Sequence, residues 1–164
     1  MKISETCVVV SGGASGLGEA TARYFAAEGA KVTLLDRDAE RGPMVAGEIG
    51  GYFVQADVTD DQSVTQAVAS AVEQMGGLNV AINCAGIALG IKTVGRDGAH
   101  PLDAFQRTVD INLVGSFNLG RVAAAEMSKN EPDNDGARLK PPPIEVIDSP
   151  RCHRSHISDF CLSV

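Results

Sequence analysis

Cys7-Val8-Val9-Val10-Ser11-Gly12-Gly13-Ala14-Ser15-Gly16-Leu17-Gly18 is the stretch that decides the fold. Its first four residues are an apolar run of strand type, and the glycine-rich segment that follows reads as a turn from a buried strand into a helix. Glycines at 12, 16 and 18 permit a tight turn, a close approach of backbone N–H groups to a ligand, and close packing of the next helix on the sheet. The N-terminus of that helix then faces an anion, so the turn is of a kind that holds a phosphate. The spacing is Gly-x-x-x-Gly-x-Gly, not the generic Gly-x-Gly-x-x-Gly, and its force comes from the strand-turn-helix context.

A second apolar run, Val32-Thr33-Leu34-Leu35, ends at Asp36, about twenty residues after the last glycine of the motif. A carboxylate there can accept hydrogen bonds from the ribose hydroxyls of an adenine dinucleotide and repels a 2′-phosphate, which favours NAD over NADP. Arg37 works against this, because a guanidinium can pair with such a phosphate. A plainer role for Asp36, as a turn or helix N-cap residue, is also open.

The rest of the chain alternates in the same manner. Leu17, Ala20, Thr21 and Tyr24 fall on one helical face, with Gly29 as the C-terminal stop. Lys31 to Leu35 is the second strand. Val64, Ala67, Val68, Ala71, Val72 and Met75 repeat with helical spacing between acidic residues at 60 and 61 and the pair Gly76-Gly77. The segment after Asp38 is a weaker helix, since Gly42 and Pro43 sit where it should propagate. Leu78 to Ile82 is the fourth strand, and Pro101, suited to a first helical turn, opens a long helix through about Met127. Strand and helix in this rhythm imply right-handed crossovers and a doubly wound, Rossmann-like α/β parallel sheet, with its ligand at the carboxyl ends of the strands.

At 164 residues, 44% of them hydrophobic, one domain can bury a real core. A net charge of −7 speaks against nucleic acid and against an anionic membrane as partners. No apolar stretch reaches spanning length, and the N-terminus enters the first strand without a signal-type segment. The expectation is an intracellular protein, cytoplasmic or, in a eukaryote, of the mitochondrial matrix. Cys7 and Cys84 read as reduced thiols in such a compartment.

Further motifs carry a resemblance. Asp57 follows Tyr52-Phe53-Val54-Gln55-Ala56, Asn83-Cys84-Ala85-Gly86 follows the fourth strand, and Asn112 stands in Asp110-Ile111-Asn112-Leu113. With the glycine turn, these resemble four motifs of the short-chain dehydrogenase/reductase family, in the right order, over about residues 5 to 137. Cys84 replaces the second asparagine of the family's Asn-Asn-Ala-Gly. Asn83 to Ile87 and Pro101 to Pro132 are most similar to type 2 3-hydroxyacyl-CoA dehydrogenases. The resemblance implies NAD contacts at Ser11, Gly12, Ser15, Gly16, Leu17, Gly18, Asp36, Asp57, Val58, Asn83, Ala85 and Gly86. Ser15 stands where NADP-preferring relatives often carry a basic residue. The implied reaction is hydride transfer on a secondary alcohol or ketone such as a 3-hydroxyacyl-CoA, or a hydroxysteroid. No metal is implied, and family members are homo-oligomers.

The family's catalytic serine and its Tyr-x-x-x-Lys pair are absent. Tyr24 is followed four residues on by Glu28, and Tyr52 by Ala56, so both tyrosines read as packing residues. Asn112 is the one remaining catalytic member, and it could instead satisfy backbone groups at a helix kink. From Arg138 to Val164 the chain has neither glycine nor alanine, and prolines stand at 141, 142, 143 and 150. Residues 1–137 therefore read as the NAD-binding domain, truncated after the fourth strand-helix unit. Residues 138–164 read as an atypical tail of frameshifted, alternative or truncated origin. Cys152, His153, His156 and Cys161 offer zinc-type donors at no recognised spacing, and a solvated tail is the plainer reading. Within it, Ile144 to Ile147 has strand character and is expected to fill the sheet position beside the fourth strand. The chain is expected to bind NAD with impaired catalysis; the competing reading is a non-catalytic nucleotide-binding or interaction module.

Overall fold

In the computed structural model, which describes residues 2–96, 98–130 and 145–146, the two apolar runs flanking the glycine turn and its helix become adjacent parallel strands. β1 (Cys7–Ser11) pairs with β2 (Lys31–Asp36) on one side, Val9 opposite Thr33, and with β4 (Val80–Asn83) on the other, Val9 opposite Ala81. β3 (Tyr52–Gln55) lies outside β2. A short antiparallel ribbon of β5 (Val94–Gly95) and β6 (Gly98–Ala99) stands apart from this sheet. β7 (Glu145–Val146) pairs in parallel with Ile82 and Asn83 of β4, so the sheet order is β3-β2-β1-β4-β7. The substitute fifth strand expected from the sequence is present at these two residues; Ile144, Ile147 and the zinc-type donors of the tail lie outside the described residues.

Strands buried on both faces need apolar residues at every position, and the period of two then sorts them into two cores. Val9, Leu35 and Ala81 point to one side, where α3 (Asp61–Met75) and α5 (Gly115–Met127) cover them with Val64, Val68, Met75, Leu119 and Met127. Val8, Val10, Val32, Leu34 and Ile82 point to the other, against Ala22 of α1 (Gly16–Ala27) and Val45 and Ala46 of α2 (Arg41–Ile49). The result is a Rossmann-like α/β fold.

The face of α1 differs from the sequence reading. Gly18 and Ala22 are buried, with Phe25 and Ala26 packed beside them, whereas Leu17 and Tyr24 are 56% and 57% exposed. Gly18 packs so closely on the glycine turn that this contact fixes the rotation of the helix, and the larger apolar residues take what remains. Tyr24 thus packs only edge-on against Phe25, and Tyr52 is exposed at the edge of the sheet. The helix stops as expected: Gly29 adopts φ +88°, its N–H bonds to Ala26 O, and that of Ala30 bonds to Phe25 O, a Schellman arrangement.

The helix after Asp38 is well formed because Pro43 lies in its first turn, where a missing N–H costs little, and the Gly42 N–H still bonds to Asp38 O at 3.0 Å. Gly42 is required there: a Cβ would lie 2.0 Å from the ring of Phe53. β4 begins at Val80, not Leu78. Asn79 precedes it and joins β1 through its side chain, Oδ1 accepting the Cys7 N–H at 2.6 Å.

The long helix after Pro101 is divided. Pro101 is the N-cap of α4 (Leu102–Val109), and a π-helical turn over Asp110–Val114 connects it to α5. Among the described residues, no helix is long and apolar enough to cross a membrane.

The strongest sequence-predicted helix, α3, is capped at both ends. Asp60 Oδ1 accepts the Ser63 N–H at 2.6 Å, and Gly76 closes the helix at φ +81°. Asp60→Ala is expected to cost about 1 kcal/mol, and Asp60→Asn much less, because only alanine removes the acceptor. Urea unfolding of the two variants checks this; equal midpoints would contradict it.

Candidate cofactor site

The strand order turns back between β1 and β4, and the carboxyl ends of the strands diverge there to leave a cleft of about 510 Å³. This is where an open parallel sheet binds its ligand. The floor is the glycine turn. Gly12 and Gly16 have φ of +66° and +55°, conformations costly for other residues. A Cβ on Gly12 would lie 2.8 Å from Ala85 N, so the turn and the end of β4 touch backbone to backbone. A Cβ on Gly18 would lie 2.1 Å from Gly12 O, which brings α1 down onto the turn. Ser15 caps α1 in an extended conformation and makes no side-chain cap bond. Ser15, Gly16 and Leu17 line the cleft, so the positive, N-terminal end of α1 lies at its margin.

Ser11 has a different place. It is fully buried, and its hydroxyl accepts the N–H groups of Cys84 and Ala85, both at 3.2 Å. It joins the ends of β1 and β4 beneath the cleft and does not line it. Gly18 likewise acts through packing.

Asp36 closes the cleft at the end of β2. Its Oδ2 accepts the Ala14 N–H at 3.0 Å, and its Oδ1 accepts the Asp38 N–H at 3.0 Å. Turn residue and cleft residue are thus the same group, since each carboxylate oxygen keeps a further lone pair. Arg37 extends to Asp57, its Nε 3.5 Å from Oδ2. The hydroxyl and N–H of Thr59 both donate to Asp57 Oδ1, at 2.7 and 2.9 Å. The Thr59 hydroxyl lowers the Asp57 pKa most; partial burial opposes it, and the Thr59 amide and Arg37 add to the lowering. This carboxylate is ionised at neutral pH.

The wall opposite is Asn83 to Ile87. Asn83 Nδ2 donates to Ser116 O at 3.3 Å, and Cys84 is half-buried, its thiol pKa raised by burial against a hydrogen bond with Thr21. Asn112 holds this segment with both ends of its amide: Oδ1 accepts the Ile87 N–H at 2.9 Å, and Nδ2 donates to Ile87 O at 2.8 Å. Asn112 does bond to backbone groups, but those of Ile87 across the cleft and not those of its own helix kink. The kink is served from elsewhere, the Ser116 hydroxyl donating to Asn112 O at 2.7 Å.

The fold therefore gathers Gly12, Ser15, Gly16, Leu17, Asp36, Asp57, Val58, Asn83, Ala85, Gly86 and Asn112 around one cleft. Two supporting residues were not foreseen. Asn118, buried on α5, donates to Val58 O at 2.9 Å and so fixes the Asp57-Val58 turn from behind. Arg41 donates from α2 to Ala14 O at 3.1 Å. An asparagine inside an apolar helical stripe is the only signal for the first, and the second has none, because its partner is a backbone carbonyl.

The profile of the short chain dehydrogenase family matches residues 6–134. The chain is 45% identical over 134 residues to the human 3-hydroxyacyl-CoA dehydrogenase type-2, covering 79% of this chain and 51% of that protein. With the Drosophila melanogaster protein of the same name it shares 44% over 140 residues, covering 83% and 55%. The crystal structure of 3-hydroxyacyl-CoA dehydrogenase type-2 from Mycobacterium avium superposes with a TM-score of 0.74 at 38% identity, over 81% of this chain and 54% of that one. A hydroxysteroid dehydrogenase from Escherichia coli superposes at 0.68 with 27% identity, over 79% and 55%. The chain spans about half the length of the curated relatives it matches. With its glycine turn, divergent strand ends and matched profile in agreement, the chain belongs to the short-chain dehydrogenase family.

Proposed function

We propose that the cleft binds NAD(H) and that the protein descends from, or forms part of, an oxidoreductase acting on a secondary alcohol or ketone of the 3-hydroxyacyl-CoA class. The observation that carries the reading is Asp36, bonded through Oδ2 to the amide of Ala14 at 3.0 Å, so that the carboxylate for the ribose and the turn for the pyrophosphate form one rigid unit. The residues present fit the dinucleotide. The first-turn amides of α1 suit its pyrophosphate, and a Cβ on Gly16 would meet nothing within 4 Å, leaving that approach open. Asp57 and Val58 suit the adenine end, and Asn83, Ala85 and Gly86 form the facing wall.

When bound, a nicotinamide supplies the hydride donor or acceptor. This chain's own residues bind and orient: Asn112 fixes Ile87, and Asn118 fixes Val58. A 3-hydroxyacyl thioester is supported by the names of the relatives, and a hydroxysteroid by that of the Escherichia coli structure. Exposed Leu102, Phe105, Leu113 and Phe117 on α4, the π turn and α5 fit the homo-oligomer common in the family. Residues 1–164 hold no Tyr-x-x-x-Lys pair, so the 164-residue chain by itself is expected to bind the dinucleotide better than to turn it over; a non-catalytic nucleotide-binding or interaction module is the second reading.

Calorimetry tests the proposal. NAD(H) is expected to bind more tightly than NADP(H), and Asp36→Ala to narrow the gap by removing both the ribose acceptor and the charge that opposes a 2′-phosphate. Equal or tighter binding of NADP(H) by the unaltered chain would refute the NAD preference.

A further inference from the structure

Glu19, in the first turn of α1, carries two guanidinium groups. Arg23 Nε and Nη2 donate to its Oε1 at 3.0 and 2.8 Å, and Arg41 Nη2, from the start of α2, donates to its Oε2 at 3.0 Å. Arg41 also reaches the glycine turn, where its Nε donates to Ala14 O at 3.1 Å. Ala14 gives its own N–H to Asp36 Oδ2 at 3.0 Å. One residue of the turn is thus held between the carboxylate that faces the ribose and a cation. The other cation at this end, Arg37, lies 3.5 Å from the Asp57 carboxylate. Among the described residues, each cation beside Asp36 is therefore matched with an anion supplied by the protein.

We propose that Glu19 is a specificity-determining residue: by holding Arg41 it denies a cation to a 2′-phosphate, so that discrimination between the two dinucleotides rests on the Glu19–Arg41 pair as well as on Asp36. The proposal rests on the reading of the cleft as an NAD(H) site. Arginine is the side chain suited to a phosphate, because its planar fork can donate two hydrogen bonds at once. The Arg41 side chain is 56% exposed and is linked to Asp36 through the backbone of Ala14, and among the described residues only Glu19 occupies its Nη2. Glu19 is kept ionised by the hydrogen bonds of Arg23, against some desolvation, and Arg41 contributes further. Its charge therefore opposes the release of Arg41 throughout the neutral range. Glu19→Gln removes that charge and keeps the size of the side chain, and the Arg23–Glu48 pair remains to tie α1 to α2.

The test is fluorescence titration of the 164-residue chain with NADH and with NADPH, for the unaltered protein, E19Q, R41A and E19Q/R41A, with thermal unfolding recorded for each. The preference for NADH over NADPH should narrow by about fivefold to tenfold in E19Q, the worth of one partly screened charge-assisted hydrogen bond. In E19Q/R41A the gain should vanish, and in E19Q it should shrink at high salt. The ratio is read within one protein, so a general loosening of the turn affects both dinucleotides and cancels. If NADH binds and E19Q leaves the ratio unchanged, or the gain persists in the double variant, the proposal is overturned while the NAD(H) site stands. If neither dinucleotide binds the unaltered chain, the site reading fails and the proposal falls with it.

Discussion

Reduction of acetoacetyl-CoA by NADH with the purified 164-residue chain is expected to run about 10²- to 10⁴-fold slower than with an intact relative, the usual contribution of a positioned acid–base group. Neither tyrosine lines the cleft. Tyr52 begins β3 and so lies at the amino end of a strand whose carboxyl end borders the site. Tyr24 is eight residues along α1 from Gly16, about 12 Å down the helix axis from the turn. Cys84 lines the cleft, but burial raises its thiol pKa against the opposing hydrogen bond with Thr21, which makes it a poor proton donor. NADH binding measured on the same sample separates loss of chemistry from loss of cofactor. Turnover at the rate of an intact relative, with contaminating enzyme excluded, would show a proton donor outside the set named here.

Gly18→Val is the substitution expected to do most damage to both fold and site. A Cβ at position 18 meets Gly12 O at 2.1 Å and Gly12 C at 2.6 Å, and both atoms belong to backbone that is itself fixed by Leu35 O and by the approach to Ala85. Nothing flexible is available to give way. Overpacking of this kind costs roughly 1–3 kcal/mol or more, and here it should also lift the first turn of α1 away from the position proposed for the phosphate, so NADH and NADPH should both bind much more weakly. Gly16→Ala is the informative comparison. Its Cβ meets open space, leaving mainly the backbone cost of φ +55°, about 1–2 kcal/mol. Urea unfolding and NADH titration should rank Gly18→Val as the worse of the two by both measures; a Gly18→Val protein with unaltered midpoint and affinity would contradict the close packing of helix on turn.

The sequence by itself determined the parts whose causes are local. The glycine turn, the apolar runs of β1 and β2, the spacing of Val64 to Met75 and the caps at Asp60 and Gly76 each follow from backbone conformation or side-chain period within about a dozen residues. The cleft residues were legible for the same reason: a parallel sheet places the ends of its strands together, so Gly12, Asp36, Asp57 and Asn83 converge once the strands are identified. Tertiary structure decided what depended on a partner far along the chain. The rotation of α1 followed from Gly18 meeting Gly12, and the tolerance of Gly42 from the ring of Phe53. Ser11 was drawn beneath the cleft by the amides of Cys84 and Ala85, and Asn112 was turned to Ile87 by a π-helical turn. Arg41 found the carbonyl of Ala14, a partner that carries no side-chain signature. Periodicity reports which face of an element is apolar, but the phase at which two elements lock is set by the closest backbone approach and by unpaired backbone groups, and these exist only once the chain has folded.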